Sequence, residues 1–131
     1  MKKGKTISVE RDIGRRTYSA PAKAKWSEEV GRFGIPAGEL RRAELAIAVQ
    51  VAERAAASGE GFAWMRKALG LTGKELGEIL GVRLETISRW ERGDVEVTRT
   101  AWLYVGGAVL EKAGRKPSLI ERGVRFAADA K

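Results

Sequence analysis

The chain has 131 residues, of which 44% are hydrophobic and 32% charged, a composition typical of a folded globular protein rather than a disordered one. It contains no cysteine and no histidine, which excludes disulfides, Cys/His metal sites and most nucleophile–base catalysis. The formal net charge of +8 indicates an anionic partner such as nucleic acid.

The positive charge is concentrated at the two ends of the chain. Residues 1–25 hold eight lysines and arginines against two acidic residues, and residues 115–131 hold five against two. Residues 62–114 are close to neutral, with eight against seven. The two ends are either solubilising tails or arms that strengthen sequence-independent contact with phosphates, and the sequence leaves both interpretations open.

No run of residues approaches the ~18–20 apolar residues of a membrane span. The first residues, MKKGKTISVERD, lack the apolar core of a signal peptide. We therefore expect a cytoplasmic protein that is associated with the nucleoid when bound to DNA, and that needs no metal or other cofactor.

Residues 1–36 form a basic N-terminal region without a helical period. Residues 6–9 alternate in polarity as a short strand does, and residues 14–20 offer a second such run. Two short strands alone are marginally stable. We expect this region to be irregular or to form a β-hairpin that leans on the helices, with Trp26 and Phe33 as its anchors.

Residues 37–61 read as a long helix followed by a linker. Pro36 can stand at the start of the helix, and the alanine-rich pattern of residues 37–57 has a wide apolar stripe. That stripe indicates either a core helix or, in part, a subunit interface, and both alternatives stay open. Residues 58–61, with the sequence SGEG, end the helix and form the linker.

Residues 62–113 contain four shorter helical patterns, which cover residues 62–70, 72–80, 83–92 and 99–112. Thr72 is placed to cap the second, because Glu75 three residues later completes a capping box. Thr98 is placed to cap the last. The remaining residues 114–131 form a basic C-terminal tail, which either adds a short helix or stays mobile.

The second and third of these patterns are joined by a tight turn at Gly81-Val82. Each has its apolar residues at helical spacing: Leu76, Ile79 and Leu80, and then Leu84, Ile87 and Trp90. Two short helices joined in this way must pack against other helices, which is the outline of a helix-turn-helix. The second helix offers on its other side residues suited to contact with base edges: Arg83, Leu84, Glu85, Ser88 and Arg89.

This stretch resembles the Cro/cI-like family of DNA-binding domains, also called the XRE family. The likeness covers roughly residues 62–112 and is carried by Arg66, Leu69-Gly70-Leu71-Thr72, Glu75-Leu76, Leu80-Gly81-Val82, and Thr86-Ile87-Ser88-Arg89-Trp90-Glu91 followed by Gly93. It implies an all-α helix bundle, here with the irregular or β-hairpin N-terminal region in front. It also implies a homodimer that binds a palindromic operator and represses transcription.

The resemblance assigns base reading to the exposed face of the second helix, which comprises Arg83, Leu84, Glu85, Ser88 and Arg89. Arg89 is the best candidate for a bidentate contact with guanine. Glu85 either accepts a hydrogen bond from cytosine or orients Arg89. Leu84 stands where relatives often carry a polar residue, and it would touch a thymine methyl group.

Six residues are expected near phosphates: Thr72, Gly73, Lys74, Thr86, Arg92 and Arg99. Gly73 departs from the family pattern, which often has glutamine there, and it offers only a backbone N–H. Three other residues are expected to be structural. Arg66 and Glu91 match a pair that forms an internal salt bridge, and Trp90 points to the core.

The order of the regions resembles, over the whole chain, the MqsA-like antitoxins, which bind a toxin through an N-terminal zinc domain and repress their own operon. The absence of cysteine excludes that zinc site, but a cognate toxin stays open as a partner. An adaptor that keeps the fold without binding DNA also stays open. An enzyme is not expected, because no nucleophile–base set or glycine-rich phosphate loop is present.

Overall fold

The computed structural model describes residues 4–54 and 57–115. Within these residues an antiparallel sheet precedes a bundle of helices. The strands are β1 (Lys5–Ile13), β2 (Arg16–Ser27) and β3 (Arg32–Gly34). The helices are α1 (Ala37–Arg54), α2 (Gly59–Ala68), α3 (Gly73–Leu80), α4 (Leu84–Arg92) and α5 (Arg99–Lys112). The all-α expectation therefore holds for the helical part only.

The strands of the N-terminal region are longer and more regular than the sequence pattern predicted. β1 and β2 form a hairpin in which Lys5 faces Ala24 and Ile13 faces Arg16, so the β-hairpin alternative is confirmed. β3 pairs with the last part of β2. Trp26 and Phe33 are partners in that pairing, and their rings pack edge to face with centroids 5.2 Å apart.

The hairpin has one buried face, which packs on α1. Alternate residues of β2 are buried, and most of them are alanines: Tyr18, Ala20, Ala22 and Ala24. α1 packs on this face, and Val9 and Ile13 of β1 join the same hydrophobic core. Small side chains on the strand allow a sheet and a helix to approach closely.

Long-range hydrogen bonds tie the hairpin to the helices. The backbone N–H of Lys23 donates to Glu39 Oε1 at 2.8 Å, and the amide of Gln50 donates to the carbonyl of Ser19 at 2.7 Å. At the hairpin turn, the N–H of Gly14 donates to Glu60 Oε2 at 3.0 Å. The hairpin is therefore anchored to both α1 and α2.

α1 is a core helix of the protein. It contacts the sheet, α2 and α5, and Ile47, Ala48 and Val51 are almost completely buried. This favours the core interpretation of its apolar stripe over the interface interpretation. The helix is described as far as Arg54, and Ala57 is no longer helical, so the predicted end at residue 57 is wrong. Residues 55 and 56 lie outside the described ranges.

The predicted linker of residues 58–61 is wrong. Ser58 instead caps α2, its hydroxyl oxygen accepting a hydrogen bond from the N–H of Gly61. Gly59 already belongs to the first turn of that helix, three residues before the predicted start. In a capping box the residue three positions after the serine is glutamate or glutamine, but here that residue is Gly61. The sequence signal for this helix start was therefore weak.

α5 has the bounds that the sequence predicted, and Thr98 caps it by accepting the N–H of Ala101 at 3.3 Å. Trp102 and Val109 are buried inside the chain, so they are not available to a dimer surface. Of the predicted tail, Gly114 and Arg115 are described, and Arg115 pairs with Glu53. The rest of the tail, residues 116–131, lies outside the described residues.

Candidate nucleic-acid interface

α3 and α4 form the predicted helix-turn-helix. Thr72 and Glu75 make the capping box at the start of α3, with hydrogen bonds of 2.9 and 3.1 Å between each side chain and the other residue's backbone N–H. Gly81 ends α3 in the left-handed region at φ 71°, where glycine is favoured. The N–H of Val82 then donates to the carbonyl of Gly77 at 2.9 Å, which keeps the turn tight.

The inner face of α4 is anchored in the core. Ile87 and Trp90 are buried, and the Trp90 ring meets Phe62 of α2 edge to face with centroids 5.6 Å apart. This confirms the structural interpretation of Trp90. Because these two residues fix the rotation of α4 about its axis, the opposite face must point into solvent.

That outer face carries the predicted base-reading residues. Arg83, Glu85 and Arg89 are exposed, Leu84 is 48% exposed and Ser88 is half-buried. Within the described part of the chain, the side chains of Arg83, Glu85 and Arg89 make no hydrogen bond or ion pair. The orienting pair between Glu85 and Arg89 is therefore not formed in the free protein. The carboxylate of Glu85 remains available as an acceptor, and the guanidinium of Arg89 remains available as a donor.

Gly73 and Leu84 are complementary in shape. A Cβ added at Gly73 would lie 2.9 Å from Leu84 Cδ1 and 3.7 Å from Ile87 Cγ2. The leucine thus occupies space above the start of α3 that any larger residue at position 73 would need.

The predicted phosphate contacts are not equally available. The capping box uses the backbone N–H and the hydroxyl oxygen of Thr72. The backbone N–H of Thr72 donates to the carboxylate of Glu75 and, together with the Thr72 side chain, holds the pKa of Glu75 below its ordinary value. A carboxylate therefore already occupies part of the positive end of α3. Gly73 and Lys74 still offer first-turn N–H groups without an intrahelical acceptor, and Lys74 is exposed.

The remaining phosphate candidates lie on α4 and α5. Thr86 is half-buried in the first turn of α4. Arg92 is exposed but pairs with Asp94 at 3.1 Å, so a phosphate would have to compete with that carboxylate. Arg99 is exposed at the first position of α5.

Arg66 connects three parts of the domain. The resemblance predicted one of these connections, the pair with Glu91. Its guanidinium forms two hydrogen bonds with Glu91, at 2.6 and 3.0 Å, and these bonds raise the pKa of Arg66 further. A third bond, to the carbonyl of Leu71 at 2.9 Å, was not anticipated. Arg66 therefore holds α2, the loop before α3 and the end of α4 together, and its role is structural.

Two features of this region were missed or misread from the sequence. Ile79 was placed on the apolar inner face of α3, but it is 51% exposed. α3 is short and packs mainly on α4, so only the face with Leu76 and Gly77 is buried. Gly59 was not singled out, although a Cβ there would lie 2.4 Å from the carbonyl oxygen of Trp90.

The part of the chain that the structure describes contains neither a cluster of metal-binding side chains nor a helix able to cross a membrane. The described ranges hold no group of three or more acidic, cysteine or histidine side chains able to bind a metal ion. Among the described helices, none has the length and apolar character needed to cross a membrane.

Residues 62–101 match the helix-turn-helix family model. No curated protein and no solved structure matches the chain, so the MqsA-like likeness of the whole architecture is not confirmed. The matched range begins inside α2 and ends inside α5, and it includes all of the predicted base and phosphate contacts. The chain therefore carries a helix-turn-helix domain of the Cro/cI type over residues 62–101, which is the domain of a family of DNA-binding transcription regulators.

Proposed function

We propose that this protein is a sequence-specific DNA-binding regulator that represses transcription as a homodimer on a palindromic operator. One observation supports it above all. The inner face of α4 is locked by Ile87 and Trp90, while the outer face presents Arg83 and Arg89 without internal partners among the described residues. Charged side chains held ready on a fixed helix are what major-groove readout requires.

The proposed base contacts are those that the resemblance assigns to the outer face. Arg89 donates two hydrogen bonds to a guanine, Glu85 accepts one from a cytosine, and Leu84 touches a thymine methyl group. Gly73 and Lys74 at the start of α3, with Thr86, Arg92 and Arg99, contact the flanking phosphates and set the register of the domain. Location at the nucleoid would follow from this binding.

Selection of bound sequences from a random DNA pool tests the proposal directly. We expect an enriched palindrome whose half-sites are centred about one helical turn, ~34 Å, apart. Arg89→Ala should lose about 1–3 kcal/mol of binding free energy and relax the preference at one base pair per half-site. Arg41→Ala on α1 removes the same charge elsewhere and is the matched control.

Binding that survives scrambling of the selected site, or an Arg89→Ala variant with unchanged operator affinity, would contradict the proposal. The second outcome would favour the adaptor alternative.

The oligomeric state is tested separately by light scattering. Because Trp102 and Val109 are buried, a dimer contact on α5 would have to use the face with Tyr104, which is 54% exposed. Tyr104→Glu should then give a monomer.

An antitoxin that also binds a cognate toxin is the second candidate, and one observation favours a protein partner. In the described part of the sheet, β1 is paired on one side only, which leaves a nine-residue strand edge. Such an edge can accept a strand from another protein. Co-expression with the product of the adjacent reading frame tests this, since an antitoxin must both co-purify with that product and relieve its toxicity.

A further inference from the structure

A cavity of about 470 Å³ lies outside the helix-turn-helix. It opens between the first half of α1, the end of α2 and the end of α5, and no residue of α3 or α4 lines it. Small-molecule sites typically measure about 300–1,000 Å³ and have mostly apolar walls with a few polar groups. The size of this cavity is therefore that of a ligand site rather than a packing defect.

The floor of the cavity is apolar and includes an indole ring. Leu45, Trp64 and Ala68 form it, and all three are only partly buried although they pack against the core. The ring of Trp64 is held in place from its polar edge, because its Nε1–H donates to the carbonyl of Glu44 at 3.4 Å. The guanidinium of Arg11 lies 5.9 Å from the centre of this ring, and the part of the indole that stays exposed offers a flat surface on which another ring can pack.

The rim of the cavity is positively charged. Arg41, Lys67 and Lys112 belong to it, and in the described residues the side chains of Arg41 and Lys67 have no hydrogen-bond or ion-pair partner. Lys112 donates one hydrogen bond, to the carbonyl of Ala68 at 2.8 Å, and an ammonium has two further donors. These three side chains can therefore still donate to an anion.

Two other charged residues beside the cavity are already paired. The carboxylate of Glu44 lies 3.8 Å from the guanidinium of Arg11, and Arg42 pairs with Glu39 at 2.8 Å. The acidic group at the cavity is thus neutralised by a partner outside it, which leaves a net positive rim.

We propose that this cavity binds a small organic anion with a flat apolar body. The ring of the ligand would pack on Trp64 and Leu45, and its carboxylate or phosphate would lie between Arg41 and Lys67. An anion is favoured over a neutral or cationic ligand because the rim charges without a partner in the described residues are all positive. A small molecule is favoured over a protein because a specific protein interface needs about 1,000 Å² or more of buried surface.

The inference is independent of the DNA-binding proposal, because the two sites share no residue. Naphthoate is a suitable probe, since it combines a flat aromatic body with one carboxylate. Titration of the full chain is followed through the indole N–H resonances in heteronuclear NMR, with Trp64→Phe used to assign the signal of Trp64. We expect a saturable shift of that signal, no shift with acetate, and an affinity at least about tenfold weaker for neutral naphthalenemethanol.

Charge variants test the rim. Arg41→Gln combined with Lys67→Gln should weaken naphthoate binding at least about tenfold and leave the melting temperature unchanged. Lys74→Gln combined with Arg83→Gln removes two exposed charges from the helix-turn-helix and should leave naphthoate binding unchanged. These two double variants carry the same net charge, so non-specific attraction of the anion cannot explain a difference between them.

Several results would overturn the inference. These are the absence of a saturable shift, shifts centred on Trp26, Trp90 or Trp102, equal affinity for the neutral analogue, or an unchanged affinity in the Arg41/Lys67 variant. Equally tight binding of poly-glutamate would also overturn it, because an acidic chain without an aromatic body would then use the rim and not the cavity.

Discussion

Among single residues, the pairing of Gly73 with Leu84 is the most specific feature of the proposed interface. The leucine covers the start of α3 and is still half-exposed to solvent. A residue without hydrogen-bonding atoms can read only the methyl group of thymine. The shape of this pair therefore makes a prediction about one base.

Replacing that thymine by uracil in the selected operator removes the methyl group alone. We expect weaker binding by about 0.8 kcal/mol, the value for burying one such group. Leu84→Ala should bind both operators equally, and Gly73→Ala should reduce the difference by displacing the leucine tip. Competition binding measures this, with uracil at a flanking thymine as the control. Equal discrimination in wild type and Leu84→Ala would contradict the assignment.

The Arg66–Glu91 pair makes a second prediction about individual residues, on stability. Both side chains are largely buried, at 15% and 17% exposure, and share two charge-assisted hydrogen bonds. Glu91→Ala leaves a partly buried guanidinium without its carboxylate and should cost about 2–3 kcal/mol of unfolding free energy. Asp94→Ala breaks an exposed pair with Arg92 and should cost less than about 1 kcal/mol. Chemical denaturation distinguishes the two.

Between secondary-structure elements, the start of α2 lies unusually close to the end of α4. A Cβ at Gly59 would meet the carbonyl oxygens of Trp90 and Glu91 at 2.4 and 2.7 Å, and backbone atoms in a helix cannot move aside as a side-chain tip can. Gly59→Ala should therefore cost about 1–3 kcal/mol of stability. Gly38→Ala, also in a first helical turn but with no atom within 4 Å of the added Cβ, should be neutral or slightly stabilising. Equal melting temperatures for both variants would refute this close approach.

The junction of β2 and α1 should be sensitive to acid. Hydrogen bonds from Arg42, and then from the backbone N–H of Lys23, lower the pKa of Glu39 from 4.5 to about 2. A carboxylate with a depressed pKa contributes stability above its unfolded pKa and loses it as the pH falls through the folded value. The contribution of Glu39 is thus complete above about pH 4.5 and is lost between there and about pH 2.

Thermal unfolding of Glu39→Gln across this range tests the junction. The variant should melt below the wild type at neutral pH, and the gap should close as the pH falls toward 2. Glu29→Gln, in the turn before β3, is the matched control, because no hydrogen bond of that carboxylate is found in the described residues. A gap that stays constant with pH would show that the charge of Glu39 does not stabilise the junction.

In the molecule as a whole, the charge of the basic N-terminal region is partly used within the fold. Much of the N-terminal region is an ordered sheet. Lys5 Nζ lies 4.4 Å from the centre of the Phe33 ring, and Arg11 approaches both Trp64 and Glu44. The interpretation of this end as a free basic arm is therefore weakened, and the proposal of an arm concerns chiefly the C-terminal tail.

Glutamine in place of Lys116, Arg122, Arg125 and Lys131 tests that tail in the full-length protein. If the tail binds phosphates, affinity should fall by the same factor on the operator and on scrambled DNA. The slope of log K against log salt concentration should also become shallower, by about 0.9 for each phosphate that the tail no longer neutralises. An unchanged slope would indicate that the tail only improves solubility.

Elements whose signals are local could be predicted from the sequence. The capping box of Thr72 and Glu75, the cap at Thr98 and the bounds of α5 followed from residues within one helical turn. The helix-turn-helix followed from the spacing of its apolar residues and from its family resemblance. The face of α4 that points outward followed as well, because Ile87 and Trp90 recur at helical spacing and had to be buried together.

The full extent of the hairpin became evident only from tertiary packing. The buried positions of β2 are mostly alanines, whose weak hydrophobicity gives little alternating signal, and Pro21 argues against a strand. Pro21 is tolerated because β3 covers only the end of β2, at Lys25–Ser27, so the strand has one partner at the proline. Burial of the alanines depends on packing against α1, which no local pattern in β2 reveals.

The contacts between the helices also leave no local signal in the sequence. The approach of Gly59 to α4, the cover of Gly73 by Leu84 and the cavity beside Trp64 each join residues that are distant in the chain. A periodic pattern reports which side of an element is apolar, but not which neighbour it meets or how closely. Those distances arise only when all the elements pack together, and sequence periodicity does not encode them.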